Sequence, residues 1–184
     1  MTFQRVVLPV LIASLGGVPS AVQAQASRLV VLVRHAEAGG EPERNPPLTD
    51  GGRARAAALA TALAGTGIGR IIVTGFTRTQ ATAGPLAAAT GVTPMVVEVT
   101  GGLEAHVQSV AAAVRDAPAG QAVLVVGHSN TIPAIVTALG GPKLADLCHT
   151  DFDTLFILEL RDAAPPRLIR AGYGAPDAEA CPAG

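Results

Sequence analysis

The sequence predicts a three-layer α/β/α sandwich with a mainly parallel sheet and a C-terminal hairpin. Short continuous apolar runs alternate with Ala-rich stretches of helical length, the pattern of repeated strand–helix units. The strands show almost no apolar–polar alternation, which fits a sheet covered on both faces. The chain has 184 residues, room for one ordinary domain.

Leu29 to Val33 is long enough for a buried strand and too short for a helix. Thr49 or Asp50 then offers a cap for a helix running to about Leu63, closed by Gly65. Ile71 to Val73 reads as a second strand, and Thr77 to Thr90 as a helix stopped by Gly91. Met95 to Val99 is a third β-rich run, followed by a helix over Glu104 to Asp116. Ala122 to Val126 is the plainest buried strand, and a helix follows from about Thr131 with Pro133 in its first turn. After an irregular stretch, Thr154 to Leu160 and Arg167 to Ala171 form the expected hairpin, with its turn over Asp162 to Pro166. The tail over residues 173–184 is expected to be loosely ordered.

Residues 1–26 read as a signal peptide. Met1 to Arg5 is a basic start, Val6 to Leu15 an apolar run, and Val22-Gln23-Ala24 or Ala24-Gln25-Ala26 a small-residue cleavage site. The apolar run is broken by Pro9, Gly16 and Gly17 and falls well short of the ~20 residues a membrane span needs. A periplasmic or secreted protein is expected, with residues 27–172 as its domain and no membrane association after signal removal. The net charge of −1 argues against nucleic acid as a partner. Cys148 and Cys181 would then meet an oxidising compartment, where a bridge would tie the tail to the body. Spacing alone leaves that bridge and two separate thiols both open.

Three predicted strand ends carry polar residues of a matching kind. The first runs into Arg34-His35-Ala36-Glu37, the second is followed by Thr74-Gly75-Phe76-Thr77-Arg78-Thr79-Gln80, and the fourth runs into Gly127-His128. Parallel strands place these ends on one edge of the sheet, where ligands of such folds bind. Two guanidiniums facing one spot repel each other unless an anion sits between them, and their forks match phosphate oxygens. A neutral imidazole among them is a fit nucleophile toward phosphorus, and neighbouring Arg charges hold it neutral.

These residues also carry a resemblance. Val31 to Glu37, the helix start at Pro47-Leu48-Thr49, Thr77 to Ala83 and Val126 to Ser129 resemble, in order, the signatures of the histidine phosphatase (phosphoglycerate mutase-like) superfamily, in its small minimal branch. The resemblance implies that His35 becomes phosphorylated, that Arg34, Arg78 and His128 bind the transferred group, and that water hydrolyses the phosphohistidine without metal or other cofactor. It implies an exported phosphomonoesterase acting on a phosphorylated small molecule or phosphoprotein.

The chain departs from the family in two places. Ala36 stands where many members have glycine, a change expected to be tolerated. The acid that protonates the leaving oxygen has no matching motif; Glu104 is the nearest candidate and His106 the second. Arg53, Arg55 and Arg115 read as solvated helix faces, and Arg44 and Asn45 as surface loop. His149, Asp151 and Asp153 resemble a metal cluster but read as the polar loop before the hairpin, so no metal site is expected. Three rival functions remain: a glycolytic mutase, which export disfavours; a non-catalytic phosphate- or phosphoprotein-binding module; and a zinc site on His35 and His128, which the flanking arginines would repel.

Overall fold

A computed structural model describes residues 27–40, 44–162 and 164–177. The elements run β1 (Ser27–Arg34), α1 (Asp50–Ala62), β2 (Ile68–Val73), α2 (Thr77–Thr90), β3 (Met95–Val96), α3 (Gly102–Arg115), β4 (Ala122–Gly127), α4 (Thr131–Ala138), β5 (Thr154–Arg161) and β6 (Ala164–Gly172). One six-stranded sheet has the order β3-β2-β4-β1-β5-β6. β3, β2, β4 and β1 are mutually parallel, whereas β5 and β6 add antiparallel strands at one side.

Successive residues of β1 point to opposite faces, as the pleat requires. Val30 and Leu32 join a core closed by Val110, Val114, Ile132 and Val136 of α3 and α4. Val31 and Val33 join a second core closed by Leu59, Ala83 and Leu86 of α1 and α2. Every residue of β4 is buried, which explains its unbroken apolar run. The expected three-layer sandwich is therefore present.

Local chemistry sets the element ends. Thr49 caps α1, its Oγ1 accepting from the Gly52 amide at 3.0 Å. Gly91 ends α2 in the left-handed region at φ 72°. β3 is shorter than the β-rich run over Met95 to Val99, because only Met95 and Val96 pair in the ladder with β2, and Val97 adds a single bond from its amide to the Val73 carbonyl at 2.8 Å. In the hairpin, β6 begins at Ala164, well before the expected Arg167. Pro165 and Pro166 are tolerated there because β6 is an edge strand.

The tail differs from expectation at its start. Tyr173 is buried, and the Asp177 carboxylate accepts from the amides of Phe152 and Asp153. Residues 173–177 thus pack on the body, while 178–184, including Cys181 and with it the bridge to Cys148 that spacing left open, lie outside the described residues. So does the signal peptide expected over residues 1–26. No helix among the described residues is long and apolar enough to cross a membrane.

Candidate active site

The carboxyl ends of β1, β2 and β4 lie side by side, with Arg34 paired to Gly127 in the ladder. His35 follows β1 directly and is held by its amide, which donates to the Gly127 carbonyl at 2.9 Å. His128 follows β4. A Cβ on Gly127 would meet Thr131 Oγ1 at 2.7 Å, so only glycine lets β4 turn this tightly into α4. Arg78 sits in the first turn of α2.

Two adjoining cavities open at this edge. One, of about 430 Å³, is lined by His35, Arg78 and His128, with Phe76, Val99 and Leu103 among its other walls. The other, of about 310 Å³, is lined by Arg34, His35 and Arg78, with Phe152 beside them. His35 and Arg78 belong to both, so all four expected side chains line these two adjoining cavities. The first turns of α2, α3 and α4 each lend a residue to the wall of the larger cavity (Arg78, Leu103 and Thr131), adding helix N-termini that favour an anion.

Hydrogen bonds fix the two imidazoles in opposite tautomers. His35 Nδ1 lies 2.8 Å from the Ala36 carbonyl, which can only accept. Nδ1 therefore carries the proton and Nε2 the lone pair. His128 Nδ1 lies 3.4 Å from Arg78 Nη2, which can only donate, and His128 Nε2 lies 3.2 Å from Thr74 Oγ1. Here Nε2 carries the proton. Thr74 Oγ1 continues to Thr79 Oγ1 at 2.9 Å, a chain of buried hydroxyls. The rings meet edge to face with centroids 5.4 Å apart.

Burial lowers the pKa of His35 to about 4, and the charges of Arg34 and Arg78 push the same way against the hydrogen bond it donates to the Ala36 carbonyl. Burial and then Arg78 lower His128 to about 3. Both rings are neutral at ordinary pH.

The arginines are held without being neutralised. Arg34 Nη1 donates to the carbonyls of Cys148, His149 and Asp151 at 2.9, 3.0 and 3.1 Å, while its guanidinium stacks 3.9 Å from the Phe152 ring centre. Its buried Nε has no partner among the described residues. Arg78 stacks 4.3 Å from the Phe76 ring centre. Carbonyls and aromatic faces orient both forks while leaving net positive charge for an anion.

A family model described as histidine phosphatase superfamily (branch 1) matches residues 30–104. Over that segment the chain is similar to the histidine phosphatase superfamily.

Solved structures extend the likeness to most of the chain. A candidate phosphohistidine phosphatase SixA from Nakamurella multipartitia is 28% identical with a TM-score of 0.56, covering 81% of this chain and 98% of that one. A protein histidine phosphatase SixA complexed with tungstate is 19% identical with a TM-score of 0.60, over 78% and 96%. A mycobacterial glucosyl-3-phosphoglycerate phosphatase is 17% identical with a TM-score of 0.58, over 72% and 90%, and these last two show the shared fold alone. No curated protein sequence matches. His128 lies beyond the segment matched by the histidine phosphatase model, so its place in the site comes from geometry.

The remaining candidate residues line neither cavity. Glu104 is exposed, accepts from Gln108 Nε2 at 2.9 Å and lines neither cavity. His106 also lines neither cavity; it is buried, with Nδ1 donating to the Glu98 carbonyl at 3.1 Å. Arg55 is not a solvated helix face. It is 5% exposed and pairs with Glu37 at 2.8 Å and Asp177 at 3.4 Å. Arg53 and Arg115 are indeed exposed. Asn45 bridges its loop to α2, its Oδ1 accepting from the Thr77 amide at 2.9 Å; Arg44 is exposed and lines neither cavity.

The carboxylate cluster comprises Asp151, Asp153 and Asp177, with oxygens within 4.8 Å of one another, and His149 is not part of it. Arg55 and Arg170 pair with its acids. Ala36 is fully buried beside Leu48 and Ala56, so its methyl fills space.

The reading of the residues did not single out Phe76, Phe152, Thr74 or Thr79. A signal existed for Phe76 and Phe152: the chain has only four Phe, and these two back the two arginines. Arg55 had one too, since Gly52, Arg55, Ala56 and Leu59 form an i, i+3, i+4, i+7 buried stripe.

Proposed function

We propose that this chain is a histidine phosphatase, an exported phosphomonoesterase that works through a phosphohistidine on His35. The observation that carries the reading is the sharing of His35 and Arg78 by two cavities that also hold Arg34 and His128. His35 Nε2 offers its lone pair to phosphorus; the N–P bond forms as the P–O bond to the leaving group breaks. Arg34, Arg78 and His128 bind the oxygens of the group in flight, where fixed positive charge counts most. Water then attacks the phosphohistidine, returning His35 and releasing inorganic phosphate. No step calls for a metal ion.

Among the described residues no carboxylate lines either cavity. Leaving groups that depart without a donated proton are therefore favoured, since general acid catalysis typically adds 10²- to 10⁴-fold. The name of the Nakamurella neighbour extends the substrate range to phosphohistidine, whose P–N bond is of the kind His35 itself would form. The missing acid also supports a second reading, a phosphate-binding module without turnover.

Hydrolysis of 4-nitrophenyl phosphate in EDTA at pH about 5.5 separates the two. The proposal expects steady turnover that His35→Ala lowers at least a thousandfold. A metal requirement, full activity in that variant, or binding of phosphate without turnover would overturn it. For export, the protein recovered from the cell envelope or medium should begin at Gln25 or Ser27, the residues after the two cleavage sites; an intact Met1 there would count against it.

A further inference from the structure

Large exposed apolar side chains are few among the described residues, and they are not scattered. Of Met95, Val96, Val99, Leu103 and Ile169, four fall within a nine-residue stretch beside the site. Single exposed apolar residues need no explanation, but a cluster at a cavity mouth does. Val99 and Leu103, 42% and 46% exposed, line the same cavity as His35, Arg78 and His128. The local backbone puts them there. β3 stops after two residues, and Gly101 and Gly102, at φ 71° and 88°, turn the chain so that α3 starts at the cavity.

Phe76 forms part of the same cavity wall, its ring set edge-on to His128 with centroids 5.2 Å apart. The cavity therefore has a cationic floor and an apolar wall, and the neutral polar residues Ser129, Asn130 and Thr131 complete its lining. Apart from Arg78 and the two histidines, none of its lining residues is ionisable. A charged leaving group would find no counter-charge on that wall, and a polyhydroxylated one held against it would turn hydroxyls toward hydrocarbon.

We infer that Phe76, Val99 and Leu103 form a leaving-group subsite, and that the substrate is a phosphate ester of an apolar, uncharged aryl group. This rests on the proposed placement of phosphate among Arg34, Arg78 and the histidines, and deepens it by naming the rest of the substrate.

The test is calorimetric binding of phenylphosphonate and 4-butylphenylphosphonate, which occupy a phosphate site without being hydrolysed. The longer ligand is expected to bind roughly tenfold more tightly, as its added methylenes reach a half-open apolar wall. Leu103→Ser and Val99→Ser, both at exposed positions where folding is unaffected, are expected to cut that ratio to about threefold or less. Equal affinities in the unaltered protein, or a preference surviving both substitutions, would overturn the subsite. Because no bond breaks, the comparison stands even if His35 proves not to be a nucleophile.

Discussion

The Arg55 guanidinium holds the Glu37 carboxylate at 2.8 Å, two residues beyond His35, through both Nε and Nη2. The same guanidinium donates to the carbonyls of Tyr173 and Ala175 at 3.1 and 2.8 Å and faces Asp177. One buried cation thus joins helix α1, the loop carrying His35 and the chain after β6. The approach depends on Gly52, where a Cβ would fall 2.0 Å from the Glu37 carbonyl oxygen.

Arg55→Met is predicted to destabilise the fold by about 2 kcal/mol or more, because Glu37 and Asp177 lose their shared partner. The value lies below that of a fully buried pair because Glu37 retains 28% side-chain exposure. Arg55→Lys should recover only part of the loss, since one ammonium cannot replace the fork. Urea unfolding of the three proteins checks this; equal midpoints would show that the contacts carry no net energy.

The hydroxyl chain from His128 gives a second prediction. Thr74→Val removes the acceptor of His128 Nε2–H and leaves a buried donor unpaired. kcat for an aryl phosphate is expected to fall about tenfold, and Thr74→Ser, which keeps the hydroxyl, to restore most of it. A serine variant as poor as valine would point to lost packing instead.

The pH dependence follows from the two depressed histidines. Their folded values, about 4 and about 3, lie below the ordinary value near 6.5, so the fold favours the neutral rings. Their contribution to stability is complete above about pH 6.5 and is lost as pH falls through the folded values. kcat/KM, which reports the free enzyme, should keep its acid-side enzyme limb near pH 4. Imidazole NMR signals titrating near 6.5 for both residues would contradict this.

Much of the site was legible because its residues end apolar runs. Arg34, His35 and His128 close strands that only burial explains, and topology then brings them together. Arg78 was legible from its motif at the start of α2. The acid was not: Glu104 stands first-turn on α3, where a carboxylate favours the helix dipole whether or not it faces a substrate. Position in sequence cannot tell the outer face of that turn from the inner one. Arg55 was misplaced for a related reason. Arginine is rarely buried, and the partners that make it possible come from Glu37 and from a C-terminal stretch with no helix or strand signal of its own.

An oxyanion should act as a ligand of the two adjoining cavities. Tungstate at 100 times its Kd is predicted to raise stability by about 2.7 kcal/mol, read as an upward thermal shift. Arg78→Ala should lose most of that shift. An undiminished shift in this variant would place the anion elsewhere.

The most direct measurement is the site of phosphate transfer. Protein mixed with an excess of aryl phosphate, quenched rapidly in alkali and mapped by mass spectrometry, should carry one phosphoryl group on His35 Nε2, stable to base and lost in acid. Phosphate on another residue, or continued turnover with His35 never modified, would contradict the account.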